Sequence, residues 1–176
     1  MCYSVFCNYP FIVLINPVNQ SRHLLRLNVG FIISQPIGYS RDFTFDIPQL
    51  LLPPDLKLND FSGVTRIGRT QQGLVLQAKF QCNIKTECVR CLTETIVPLQ
   101  TDFDELYAFT TKSVSESGLI LPEDGHIDLE PLLREYLTLE IPIRPLCRPD
   151  CKGLCIECGE NLNDRLCEHQ AKKPGI

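Results

Sequence analysis

Residues 63–88, GVTRIGRTQQGLVLQAKFQCNIKTEC, contain the clearest structural pattern in the chain. From position 74 onward, every second residue is apolar or weakly polar, and mostly polar residues lie between them. A period of two predicts a strand with one face against a core. The preceding residues and the Thr70–Gly73 turn make this strand the second half of a β-hairpin. The alternating positions are Leu74, Leu76, Ala78, Phe80, Cys82, Ile84, Thr86 and Cys88.

The segments on either side of the hairpin are also extended. FTFDIPQLLLPPDLKL (43–58) is punctuated by proline, which predicts an edge strand followed by a loop. TETIVPLQTDFDELYAF (93–109) resumes as a strand, so the turn CVRC (88–91) is expected at the tip of a strand pair. A polar loop is predicted from Thr110 to Gly125.

One helix is predicted late in the chain. Asp128 is a suitable N-cap, and Pro142 and Pro145 end the pattern. The sequence therefore predicts an α+β fold, with an antiparallel, partly barrel-like β-sheet, one main helix and a cysteine-rich zinc-knuckle tail. The residues at helical spacing are Leu129, Leu132, Leu133, Tyr136 and Leu137.

Four segments are expected along the chain. Residues 1–22 are poorly patterned and form an N-terminal extension, and residues 23–146 form the α+β core domain. Residues 147–170 form the cysteine-rich metal-binding tail, and residues 171–176 form a flexible C-terminus.

The charge of the chain gives no sign of general nucleic-acid binding. There are 17 basic and 21 acidic residues, for a formal net charge of −4, whereas nucleic-acid binding usually accompanies a basic excess. The apolar run FIVLI (11–15) has no basic residue before it, unlike a signal peptide. No stretch approaches the length of a membrane span. These features predict a soluble intracellular protein without membrane contact, located in the cytoplasm, or in the plastid stroma if a plant nuclear gene encodes it.

Most of the ten cysteines are therefore expected to hold metal rather than to form disulfides. Two Cys-x-x-Cys turns occur, Cys88/Cys91 and Cys155/Cys158, and each supplies half of a tetrahedral site. Zinc is favoured over an iron–sulfur cluster because a histidine lies close by. We expect two structural zinc ions, with Cys88, Cys91, Cys147 and Cys151 in one site and Cys155, Cys158, Cys167 and His169 in the other.

Two other arrangements are compatible with the sequence. In one, Cys147 and Cys151 join Cys155/Cys158, and Cys88/Cys91 join Cys167 and His169. In the other, the two Cys-x-x-Cys turns form a single zinc ribbon. Both sites of the first arrangement have four ligands and are closed, which predicts structural rather than catalytic metal.

The remaining candidates are explained more simply. Cys2, Cys7 and Cys82 are expected to be free thiols, because cysteine packs well as a small apolar residue. His23 and His126 lack ligand-like neighbours. Redox chemistry at Cys155/Cys158 is disfavoured, since turns rather than a strand-to-helix junction surround the pair.

In combination, these motifs resemble one family. ECVRCL (87–92) after an alternating strand, followed by DLEPLLREYLTLEIPIRPLCRPDCKGLCIECGENLN (128–163), is similar to the YceD-type proteins. These are the large-ribosomal-RNA-subunit accumulation proteins of bacteria and plastids, and the resemblance runs from about Leu24 to His169. It implies a non-enzymatic role in 23S rRNA accumulation, and hence in processing of that RNA and assembly of the large ribosomal subunit. Many members close the tail with Cys-x-Cys, where this chain has Cys167-Glu168-His169.

The expected partners are 23S rRNA or its precursor, by direct or indirect contact, and ribosomal or rRNA-processing proteins. Four basic residues lie near the first site in sequence, and they are expected either to donate to the thiolates or to contact phosphate. Arg165, Lys172 and Lys173 extend this set. The alternative function is a module that docks a ribosomal protein or a processing enzyme without touching RNA. The four basic residues are Arg90, Arg144, Arg148 and Lys152.

Overall fold

The computed structural model describes residues 24–165 and 167–171. The expected extension 1–22, Cys2, Cys7 and His23 lie outside these residues, as do Lys172 and Lys173. The strands are β1 (Arg26–Asn28), β2 (Ser40–Leu52), β3 (Leu56–Arg69), β4 (Gly73–Glu87), β5 (Glu94–Ala108) and β6 (His126–Asp128). The helices are α1 (Gly30–Ile33), α2 (Glu130–Glu140) and α3 (Glu168–Ala171), with a 3₁₀ turn at Thr111–Ser113.

The main sheet is antiparallel and has the strand order β2-β3-β4-β5. The predicted hairpin corresponds to β3 and β4, which are joined at Thr70, where the backbone N–H donates to the oxygen of Gly73 at 2.9 Å. Along β4 the alternating side chains point into the core, from Leu74 to Ile84. Cys82 is among them, and burial raises the pKa of its thiol to about 11. Periodicity alone was thus sufficient to identify the central strand.

The described sheet is open, which corrects the expectation of a partly barrel-like sheet. β2 and β5 lie at its two edges and each pairs with one neighbour in the sheet. The edge position of β2 agrees with the prediction from its prolines. The loop expected up to residue 58 is shorter, because Leu58 is buried and pairs with Leu50 as part of β3.

Helix α2 covers the inner face of the sheet. The N-cap of the helix is Leu129, one residue after the predicted Asp128, but Asp128 Oδ1 still accepts the backbone N–H of Glu130, the first helical residue, at 2.9 Å. The ring of Tyr136 stacks on that of Phe103 in β5, with centroids 4.1 Å apart. Leu133 and Leu137 are fully buried beside this contact. The helix therefore fixes where the chain leaves the core, on its way to the cysteines that follow residue 146.

A short two-stranded sheet of β1 and β6 completes the core. Ile127 of β6 is fully buried, and so is Leu25, directly before β1. The antiparallel α+β class predicted from the sequence is confirmed. Among the described helices, none is both long enough and apolar enough to cross a membrane.

Candidate metal centres

The turn between β4 and β5 brings two cysteines to one point. The N–H of Leu92 donates to the oxygen of Cys88 at 2.9 Å, and the N–H of Cys88 donates to the oxygen of Thr93 at 3.0 Å. The N–H of Val89 donates to Pro145 at 3.0 Å, which joins the turn to the segment that follows α2. That segment carries the next two cysteines. Together they form the first group, called the core centre, which consists of Cys88, Cys91, Cys147 and Cys151.

The sulfurs of the core centre have the spacing of a tetrahedral thiolate site. Cys88 Sγ lies 3.7 Å from Cys151 Sγ, and Cys91 Sγ lies 3.5 Å from Cys147 Sγ. All four lie within 4.8 Å of one another. A tetrahedral zinc ion with Zn–S bonds of about 2.3 Å separates its sulfurs by about 3.8 Å. The donor set and its dimensions therefore fit zinc.

The surroundings of the core centre favour a thiolate at Cys88. Burial opposes ionisation there, but the backbone N–H groups of Cys147, Cys91 and Arg90 donate to the sulfur, and the pKa falls to about 6. Cys147 behaves in the opposite way: burial, followed by the neighbouring thiols, raises its pKa to about 12. Ionisation of all four sulfurs would need a compensating positive charge at this point, which a divalent cation would supply.

The second group, called the tail centre, is built within a short stretch of chain. It consists of Cys155, Cys158, Cys167 and His169, whose ligand atoms lie within 4.8 Å of one another. The N–H of Gly159 donates to the oxygen of Cys155 at 2.9 Å, which closes the turn. Gly159 has φ +73°, and the equivalent residue in the core centre, Leu92, has φ +58°. Both Cys-x-x-Cys turns therefore end in the left-handed region, which glycine adopts more readily than leucine.

The tail centre is more exposed than the core centre. Cys158 is exposed and Cys167 is half-buried. Backbone N–H groups of Cys158 and Glu157 donate to Cys155 and help to lower its pKa to about 6, whereas the pKa of Cys158 is raised. His169 Nε2 lies 3.7 Å from a carboxylate oxygen of Glu157. Three sulfurs and one imidazole are a donor set that suits zinc.

The structure groups the eight predicted ligands as in the first of the three arrangements. Both alternatives would combine ligands from the two groups, whereas each group's ligand atoms converge on a point of their own. The Cys155/Cys158 pair, considered above for redox chemistry, is part of the tail centre. Cys82 lies in the sheet core, away from both groups.

The four basic residues near the core centre have different surroundings. Arg90 donates to the backbone oxygen of Cys151 at 2.9 Å, and Arg148 donates to Asn163 Oδ1 at 2.9 Å and lies 3.5 Å from Asp150. Arg144 and Lys152 are exposed. Within residues 24–165 and 167–171, no side-chain hydrogen bond or ion pair involves these last two. No described contact joins any of the four side chains to a sulfur.

Two side chains outside the ligand set contact thiols of the core centre, and sequence reasoning missed both. Thr93 Oγ1 lies 3.3 Å from Cys91 Sγ. Asn163 Nδ2 lies 3.3 Å from Cys151 Sγ. Its neighbour Asn161 pairs with Leu154 in an isolated β-bridge. The sequence feature that could have predicted the Asn163 contact is the pair of asparagines, Asn161 and Asn163, shortly after the Cys-x-x-Cys-Gly turn, because a side-chain amide can donate a hydrogen bond to sulfur.

Comparison with known proteins places these centres in a recognised family. An uncharacterized protein of Mycobacterium leprae is 40% identical over 81 residues, which cover 44% of this chain and 37% of that protein. A protein of Mycobacterium bovis is 33% identical over 101 residues, or 55% of this chain and 49% of that one. The chain thus spans less than half the length of these two mycobacterial relatives.

A plant relative has a descriptive name. The large ribosomal RNA subunit accumulation protein YCED homolog 1, chloroplastic, of Arabidopsis thaliana is 45% identical over 47 residues, covering 27% of this chain and 15% of that protein. No solved structure matches the chain at a significant level. The model of the family described as large ribosomal RNA subunit accumulation protein YceD matches residues 76–175, which contain all eight grouped ligands. The chain therefore belongs to the YceD family.

Proposed function

We propose that this chain is a zinc-stabilised, non-enzymatic factor for accumulation of large-subunit ribosomal RNA, the 23S species, during assembly of the large ribosomal subunit. The observation that carries the proposal is the match of the family model to residues 76–175. The names of the Arabidopsis and maize relatives point the same way. We place the protein in the cytoplasm, or in the plastid stroma if it is the product of a plant nuclear gene.

Two structural zinc ions are part of this proposal. The core centre would be held by four thiolates, and the tail centre by three thiolates and His169. Zinc would supply positive charge and tetrahedral geometry at each point. Because each centre already offers four ligands, neither leaves the open position that a catalytic zinc needs for water or substrate. This supports a role in shape rather than in chemistry.

The structure bears on whether RNA is contacted directly. Of the four basic residues near the core centre, Arg90 and Arg148 are engaged within the protein, which leaves Arg144 and Lys152 for phosphate. The chain as a whole carries a formal net charge of −4, and an acidic surface suits basic partners. These observations favour a second candidate, a docking module that acts on ribosomal RNA through a basic ribosomal or processing protein.

Depletion of the protein in its source organism tests the main proposal. We expect the amount of mature 23S rRNA to fall relative to that of the small-subunit rRNA, and the wild-type gene to restore it. A Cys88→Ala gene should restore it less well than a Cys82→Ala gene, since both cysteines are buried but only Cys88 belongs to a metal centre. An unchanged rRNA ratio after full depletion would refute the proposed role.

A salt titration separates direct RNA contact from docking. Binding of the purified protein to 23S rRNA fragments through several phosphates weakens steeply as salt is raised, because counterions are released. Arg144→Ala with Lys152→Ala should then weaken binding uniformly across RNA sequences. If the RNA is not bound, or is bound with little salt dependence, the docking module is favoured instead.

A further inference from the structure

The side chain of Asn163 connects the loop of the tail centre to the core centre. Asn163 lies between Cys158 and Cys167, both of the tail centre. Its Nδ2 nevertheless lies 3.3 Å from the sulfur of Cys151, a member of the core centre. The same Nδ2 donates to Asn161 Oδ1 at 2.9 Å. Both amide hydrogens are therefore used, one within the loop and one toward the other centre.

The amide oxygen of Asn163 also makes two hydrogen bonds. Asn163 Oδ1 accepts the backbone N–H of Lys152 at 2.8 Å and the guanidinium of Arg148 at 2.9 Å. A flipped amide would point its NH₂ group at these two donors, so the network fixes its orientation. The NH₂ group consequently faces the sulfur of Cys151.

The backbone of the loop is attached to the core centre as well. The N–H of Leu162 donates to the oxygen of Gly153 at 2.9 Å, and the N–H of Leu154 donates to the oxygen of Arg90 at 3.1 Å. Gly153 has φ +78°, and a Cβ there would lie 3.1 Å from the oxygen of Arg90. The loop, the segment 151–154 and the turn of the core centre thus pack together.

We propose that Asn163 is a positioning residue that couples the two metal centres. The inference rests on the metal binding of the proposed function. An amide N–H aimed at Cys151 donates to that sulfur and holds it in position as a ligand. Metal in the tail centre holds Cys158 and Cys167, and so holds the loop that presents the amide. Because such coupling is reciprocal, metal in each centre strengthens binding at the other.

Metal affinities of the full-length protein test this coupling. Loss of a partner of a ligand outside the coordination shell typically costs 10- to 100-fold in affinity, so we expect a loss of that size at the core centre for Asn163→Ala. Asn163→Asp keeps both acceptor contacts of Oδ1 but removes the donor, and it should weaken the centre at least as much. Asp164→Ala is the matched control, since this neighbouring side chain is exposed and no described hydrogen bond involves it.

Each centre can be followed separately with Co²⁺, because a four-thiolate site and a three-thiolate, one-imidazole site absorb differently. Competition between Zn²⁺ and a chelator of known affinity then gives the two constants. Cys158→Ser, which breaks the tail centre, should also weaken the core centre. In the Asn163→Ala background, Cys158→Ser should have little further effect on the core centre, because the connection is already lost.

The outcomes separate this inference from the proposal on which it rests. If the wild type holds two ions and both Asn163 variants bind them as tightly as the wild type does, the coupling is refuted and the metal proposal stands. The same holds if Cys158→Ser and Asn163→Ala weaken the core centre additively. If the wild type holds no metal, both the coupling and the metal proposal fail.

Discussion

Replacement of a single buried cysteine tests whether the core centre holds the fold together. Cys88 and Cys82 are both buried, with 0% and 4% of their surface exposed, on one strand and its following turn. Cys82→Ala removes one buried sulfur and should cost about 1 kcal/mol of unfolding free energy. Cys88→Ala removes a sulfur of similar burial and, if the centre holds zinc, the ion as well.

The structure gives the size of the additional loss. Cys91 and Cys147 are 56 residues apart in sequence, and a cross-link that closes a loop of this length contributes about 4 kcal/mol through the entropy of the unfolded chain. We therefore expect Cys88→Ala to lower the unfolding free energy by about 4 kcal/mol more than Cys82→Ala does. Denaturant unfolding with Zn²⁺ and a reducing agent present measures both values.

Hydrogen exchange and the difference in unfolding free energy both test whether the core centre acts as a cross-link. Hydrogen exchange in Cys88→Ala should speed up at Val89 N–H, whose acceptor is Pro145, because the turn and the segment after α2 separate together. Should the two variants unfold within 1 kcal/mol of each other, the core centre is not a cross-link, and its sulfurs are only packed thiols.

Three further predictions concern metal retention and the tail. Chelation should speed amide hydrogen exchange first within residues 154–165 and only later in β4. The reason is that the cysteines on either side of the tail loop are exposed or half-buried. Zinc affinity should weaken as pH falls and should fall more steeply below about 6, because the pKa values of Cys88 and Cys155 are lowered to about 6 and below that pH these two sulfurs also bind protons in the metal-free protein. Competition with a chelator, measured against pH, checks this. Gly159→Ala should weaken tail-centre zinc by about 1 kcal/mol because φ there is +73°, while Gly118→Ala, with φ +71° and equally open space, should leave zinc affinity unchanged.

The sequence was sufficient where one local pattern determines one structural outcome. The two-residue period of 74–88 defined β4 and its buried face, and Asp128 with Pro142 bracketed α2. The Cys-x-x-Cys turns were recognisable because four ligands must converge on one ion. The strand period, the helix ends and each Cys-x-x-Cys turn are local features, so the spacing of nearby residues is enough to predict them.

The remaining features depend on contacts between distant segments. Whether the sheet closes is set by the pairing of its edges β2 and β5, which no pattern within either strand reveals. Arg90 was expected to face sulfur or phosphate, yet its guanidinium bonds the backbone of Cys151, 61 residues away. Every residue has a backbone oxygen, so the sequence does not indicate which of them an arginine side chain will contact.

The two centres would stabilise different parts of the chain, so loss of metal should affect the core domain and the tail to different extents. The core centre joins the β4–β5 turn to the segment after α2, so its closure restrains a long loop of a domain that also has an apolar core. The tail centre closes a short loop, and in the described part of the tail Leu162 is its most buried leucine, with 8% exposed. A segment with so little apolar burial depends on its ligands for order. Metal loss should therefore loosen the core but unfold the tail. The side chain of Asn163 extends from the tail loop to a thiol of the core centre. Through this contact, unfolding of the tail should weaken metal binding at the core centre.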